Sequence, residues 1–110
     1  MANTFKNAVS SAIGTSQTSV YTVPASTTTT VIGLTVSNIT ASAITVDVVI
    51  TDTSGTTDVY LVKGATVPIG GALVPVGGDQ KVVLETTDII KVTSDTASSA
   101  DVIVSVLEQS

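Results

Sequence analysis

TTVIGLTVSNITASAITVDVVITD, residues 29–52, is the stretch whose reading decides the fold. Ile32, Leu34 and Val36 alternate with Gly33, Thr35 and Ser37. After a short polar connection Ile44, Val46, Val48 and Ile50 alternate with Thr45, Asp47, Val49 and Thr51. Strand side chains leave the backbone on opposite faces with period two, so each run is a strand with one apolar and one mainly polar face. Such a pair must bury its apolar face against a second sheet, and the rest of the chain supplies the strands for one.

Upstream, residues 18–23 (TSVYTV) form a short strand ended by Pro24, which lacks the amide a ladder needs. Residues 25–30 are a Ser/Thr loop into the central pair. Downstream, the turn cluster at 53–56 leads into a strand over 57–63, with Val59 and Leu61 on one face and Asp58, Tyr60 and Val62 on the other. An internal echo follows, VPIGG at 67–71 and VPVGG at 74–78. Its prolines, Pro68 and Pro75, predict an edge or a loop lying over the sandwich. Residues 79–85, 88–94 and 100–108 are further strands, joined by Thr86-Thr87 and by DTASS at 95–99. Residues 3–13 carry Phe5, Ala8, Val9, Ala12 and Ile13 in a Ser-rich context before Gly14, and read as an extended arm or edge strand. The expectation is all-β: an arm or edge strand over 1–14, then a single antiparallel β-sandwich over 15–110. About eight strands with turn signals every 8–12 residues suit a jelly-roll or Ig-like sandwich.

Composition narrows the chemistry. The 110 residues are 43% hydrophobic but only 3% aromatic, so one domain's core must be built from Val, Ile, Leu and Ala. No cysteine, histidine or arginine is present. That removes disulfides and thiolate metal sites, the usual general base, and the bidentate phosphate fork. A net charge of −5 argues against a nucleic-acid footprint. No run reaches the ~18 apolar residues of a membrane span. The polar residues Asn7, Ser10 and Ser11 interrupt any signal-peptide core, so no leader is expected. Asn38-Ile39-Thr40 matches a glycosylation sequon but reads as a hairpin turn between the two strands.

Each candidate chemistry fails on its own requirement. Asp47, Asp52 and Asp58 are close in sequence, but a calcium loop needs oxygens converging from one turn, so no metal is expected. The glycines of 64–78 lack the G-K-[ST] and the helix of a phosphate loop. A serine triad cannot form without histidine, and Lys63, Lys81 and Lys91 each read as the polar member of a strand rather than half of a Ser–Lys dyad. Nothing selects a carboxylate pair, and Phe5, Tyr21 and Tyr60 are too few for a sugar platform. The expectation is a non-enzyme with no cofactor and no small-molecule substrate.

An interaction surface remains. Along 100–108 both faces are apolar, with Val102, Val104 and Val106 on one and Ile103 and Leu107 on the other. Val49 and Val62 likewise interrupt the polar faces of their strands. Apolar residues on an outer face need a cover, either a symmetric partner, a larger assembly or the N-terminal segment. Candidate interface residues are Phe5, Val9, Ile13, Pro68, Ile69, Pro75, Ile103 and Leu107.

The chain also resembles a known group. TFKNAV (4–9), TSVYTVPASTTTTVIGLTVSNIT (18–40), ITVDVVITD (44–52), YLVKGATVP (60–68), GGDQKVVLETTDIIKVTSD (77–95) and ADVIVSVLE (100–108) are similar in style to small virion structural proteins of tailed bacteriophages, particularly marine cyanophages. The resemblance runs over nearly the whole chain and includes no catalytic motif. It implies a capsid decoration (cement) protein on the capsid exterior, a homo-oligomer with a trimer favoured, bound to the major capsid protein. A neck, tail or fibre subunit, or a host-surface or carbohydrate-binding module, are the alternatives.

Overall fold

A computed structural model describes residues 2–53, 56–77 and 81–110. Ser54 and Gly55 of the turn cluster lie outside the described residues, as do Gly78, the last of the glycine echo, and Asp79 and Gln80, the start of the strand expected over 79–85. The strands are β1 (Asn3–Ile13), β2 (Thr18–Thr22), β3 (Thr28–Asn38), β4 (Ile44–Asp52), β5 (Thr57–Val67), β6 (Ala72–Val76), β7 (Val82–Leu84), β8 (Ile89–Ser94) and β9 (Ala100–Gln109). There is no helix among the described residues.

Every pairing is antiparallel: β1 with β9, β2 with β8, β3 with β6 and β7, and β4 with β5. The chain is thus one long hairpin, first strand against last. Two further pairings, β9 with β3 and β8 with β4, roll that hairpin into two sheets. One sheet has the order β1-β9-β3-β6, with β7 beside the other half of β3, and the second has the order β2-β8-β4-β5. This winding is that of a jelly roll, and it settles the choice left open by strand count alone.

The N-terminal segment, read as an arm or edge strand, is an edge strand: β1, in register with β9 from Asn3–Gln109 to Ser10–Val102, and not an arm apart from the sandwich. Three expectations need correction. The central pair is not a hairpin, because β3 and β4 lie in opposite sheets and turn their apolar faces toward each other. Within β3 an extra residue between Val31 and Gly33 shifts the register against β9, so Val31 joins Leu34 and Val36 in the core while Ile32 stays half-buried. Within β5 extra residues at Leu61 and at Lys63-Gly64 likewise break strict alternation. Val62 therefore falls opposite Val48 and packs on the core instead of breaking an outer face.

The core is aliphatic: Val31, Leu34, Val36, Val102, Val104 and Val106 from one sheet meet Ile44, Val46, Val48, Ile90 and Val92 from the other. Each fully buried aliphatic side chain contributes about 1.5–3 kcal/mol, and β-branched residues lose little further freedom at χ1 on entering a strand. Polar knots close the two ends. At one, Asn38 is 6% exposed; its Nδ2 donates to the carbonyls of Ser42, Val67 and Pro68, and its Oδ1 accepts from the Thr40 amide and hydroxyl. The sequon is thus spent on structure. At the other, Tyr21 of β2 bridges the sheets, its hydroxyl donating to Glu108 Oε2 on β9 and bonded to Thr29 Oγ1 on β3.

Candidate interaction surface

The outward residues of the five-stranded sheet follow from register. On β1 they are Asn3, Phe5, Asn7, Val9 and Ser11; on β9, Asp101, Ile103, Ser105, Leu107 and Gln109. Thr30, Gly33, Thr35 and Ser37 continue them on β3, and Val83 and Ala72 on β7 and β6. Cross-strand partners line up into apolar rows. One runs Phe5–Leu107–Thr30–Val83, and another runs Val9–Ile103–Thr35. Phe5 is 76% exposed, Val9 67%, Val83 64% and Ile103 45%, which is a large share for four apolar side chains on one face.

Charge sharpens the contrast between the two sheets. Among these outward strand residues only Asp101 is charged, and its Oδ1 accepts the Ala12 amide at 3.0 Å. The opposite outer face carries Asp47, Asp58 and Lys91, with Lys63 Nζ 4.7 Å from the Tyr60 ring centroid. There Val49, flanked by Tyr60 and Lys91, is 1% exposed. It is covered within the chain, contrary to expectation. Depletion of charge around exposed apolar side chains marks the core of an interface, so the two faces of this sandwich are not equivalent.

The proposed contact residues divide accordingly. Phe5, Val9, Ile103 and Leu107 are brought together on the charge-poor face. Ile13 is not; it is 2% exposed and belongs to the core. One extra residue between Ser10 and Ile13, with Ala12 at φ 54°, inverts the alternation and turns Ile13 inward opposite Ala100. Pro68 and Ile69 lie exposed in the β5–β6 connection at the Asn38 end, while Pro75 is a half-buried residue of β6. Where β1 bulges away from regular pairing, Val9, Ser10, Ser11, Ser37, Asp101, Val102 and Ile103 line an open groove of ≈ 360 Å³. Its polar lining is three serines and one carboxylate, whose Oδ1 already accepts the Ala12 amide.

Two buried acids escaped sequence reading. Glu108 sits at an inward position of β9, 8% exposed, 3.4 Å from Lys6 Nζ and 2.5 Å from the Tyr21 hydroxyl. Burial first, and the Glu108 hydrogen bond second, push the Tyr21 phenol up to about 12, so it remains a donor. Asp88 is 4% exposed and accepts the amides of Thr53 and Glu85. Of the three aspartates weighed as a calcium cluster, Asp47 accepts the Gly64 amide and Asp58 the Thr51 hydroxyl. Asp52 instead groups with Glu85 and Asp88, oxygens within 4.8 Å. Because the Asp88 oxygens already serve two backbone amides, that group is explained as a clamp on the β7–β8 turn. The strand-end position of each acid in sequence carries no signal for these roles.

No protein-family model matches the chain, and no curated protein or solved structure matches it either.

Proposed function

We propose that this chain is a non-enzymatic structural protein of a bacteriophage virion, a capsid decoration protein that attaches through the outer face of the five-stranded sheet. The observation that carries the reading is the charge-poor face bearing exposed Phe5, Val9, Ile103 and Val83, on which Asp101 is the one charged outward strand residue and is bonded to the Ala12 amide. A jelly roll is a fold used in capsids but does not fix function by itself. The similarity of the chain in style to tailed-phage virion proteins supplies the particle. Attachment would remove the apolar rows from water, while the face carrying Asp47, Asp58 and Lys91 stays solvated.

Co-sedimentation with expanded, DNA-filled heads of a tailed cyanophage tests it. The expected result is saturable binding at a fixed copy number per head, retained in 0.5 M salt because the contact is apolar. Binding to isolated necks or tails, or polymerisation without heads, places the protein elsewhere in the particle and overturns the decoration role. Binding to host cells or glycans with none to the particle overturns the structural role.

A further inference from the structure

Strand β1 has an open edge, and its hydrogen-bonding phase can be read. The Ala2 amide donates to the Ser110 carbonyl at 2.9 Å and the Ser110 amide returns to Ala2 at 3.0 Å. Antiparallel residues alternate between pairs that exchange both bonds and pairs that exchange none. In the unbroken register Thr4, Lys6, Ala8 and Ser10 therefore bond to β9, while the amides and carbonyls of Asn3, Phe5, Asn7 and Val9 point away from it. The same residues present Phe5 and Val9 on the charge-poor face.

The other edges carry devices that discourage pairing. β6 contains Pro75 and β7 has three residues. β2 has five residues and an irregularity between Ser19 and Tyr21. β5 is bulged at two places, with Gly64 at φ +64°. β1 alone runs regularly from Asn3 to Ser10 without proline or glycine. Its single charge, Lys6, sits at an inward register position with its side chain 53% exposed, and is met by Glu108 at 3.4 Å.

We infer that β1 is a two-fold dimerisation edge, pairing antiparallel with β1 of a second copy about an axis through Asn7. That axis sets Asn7 opposite Asn7, and Phe5 opposite Val9 of the second copy, all at positions whose backbone groups are free. Three such pairs exchange about six main-chain hydrogen bonds. The occupant is a second copy because the arrangement is self-complementary. Phe5 and Val9 flank Asn7 at equal distances, so the axis joins the Phe5–Leu107–Thr30–Val83 row of one chain to the Val9–Ile103–Thr35 row of the other. Charge agrees: chains of net charge −5 meet where neither has an unpaired charge, with Lys6 facing Ala8. The edge paired over residues 4–10, roughly 24 Å long and 10 Å thick, buries on the order of 500 Å² in total, below the ~1,200 Å² of a stable interface. The dimer is accordingly weak and concentration-dependent, suited to local crowding on a larger particle. This inference concerns the strand edge and stands independently of what the sheet face binds.

Sedimentation equilibrium of the isolated chain from ~10 μM to ~1 mM reads it directly. The expected result is a mass rising from the 11.0 kDa monomer toward twice that value. Asn7→Pro removes an amide aimed off the edge and none from the β1–β9 ladder, so it should leave the fold intact and weaken dimerisation at least ~10-fold. Hydrogen exchange on the unmodified protein provides a second reading: amides of Phe5, Asn7 and Val9 should slow with concentration, and those of Lys6 and Ala8 should not change. A monomer throughout the range overturns the inference. So does a dimer whose Phe5, Asn7 and Val9 amides exchange as freely as in the monomer, which would assign association to the sheet face.

Discussion

Replacing Asn38 by alanine should unfasten one end of the sandwich, and the structure sets the size of the effect. The side chain makes three bonds through Nδ2 and two through Oδ1. The bond to the Val67 carbonyl is fully buried, so its loss leaves an acceptor without water and costs about 1–3 kcal/mol. The other four reach groups that water can approach, and their loss costs about 0.5 kcal/mol or less each. The sum is about 3 kcal/mol, or a fall in Tm of roughly 12 °C for a domain of this size. Urea unfolding at 25 °C should show the midpoint falling with the slope unchanged. Asn38→Asp separates donor from acceptor roles. It keeps the acceptor for Thr40 but sets a carboxylate against carbonyls of Ser42, Val67 and Pro68. At neutral pH it should be at least as damaging as alanine. Its carboxyl pKa is raised in the folded state, so stability returns as pH falls and the protonated acid donates again. A loss below about 1 kcal/mol in Asn38→Ala would show instead that water replaces every bond the amide makes and that Asn38 fastens nothing.

Further expectations follow from the same geometry. Ile13→Ala should cost about 3 kcal/mol in urea unfolding, whereas Val9→Ala, at an exposed site on the same strand, should change stability by less than about 0.5 kcal/mol. Equal effects would show that the β1 bulge does not invert the strand. Tyr21→Phe should destabilise by about 1–2 kcal/mol at pH 7 by taking a donor from buried Glu108. In a Tyr60→Phe background, absorbance near 295 nm should place Tyr21 ionisation at about 12, against 10.0 when unfolded. Because the folded value is raised, that contribution is complete below pH 10 and is lost as pH climbs to 12. Asp88→Ala should cost about 2–3 kcal/mol by orphaning the Thr53 and Glu85 amides, and 5 mM calcium should not raise the Tm of the unmodified protein if the acids form only a clamp.

The β-sandwich was legible because period-two alternation is a local property of a strand. Ile44, Val46, Val48 and Ile50 announce a buried face without reference to any partner. The sheet to which a strand belongs is not local. The Asn38–Thr40 turn looks like a hairpin in sequence, yet its side-chain bonds carry the chain across to the other sheet. Bulges were hidden for the same reason. Ala12, Ile32 and Leu61 sit in runs whose composition permits strict alternation, and only pairing to a neighbour of different length reveals the extra residue. The surface shows the same split. Phe5, Val9, Ile103 and Leu107 were recognisable as apolar residues in need of cover, and register brought them onto one face. Ile13 failed because one extra residue upstream reversed its direction. Glu108 was invisible as a buried group because its side-chain partners, Lys6 and Tyr21, come from two other strands.

The proposed attachment surface is tested most directly by placing one charge on each outer face and measuring head binding by co-sedimentation. Ile103→Glu puts a carboxylate beside Asp101 on the apolar face, where no outward cation neutralises it, and Thr93→Glu puts one on the opposite face beside Asp47. Circular dichroism and thermal melting should show both variants folded, since both positions point away from the core. Ile103→Glu should lose at least ~30-fold in affinity, the equivalent of about 2 kcal/mol for a desolvated unpaired charge, while Thr93→Glu binds as the unmodified protein does. Undiminished binding by Ile103→Glu, or a loss confined to Thr93→Glu, would contradict the attachment through this face.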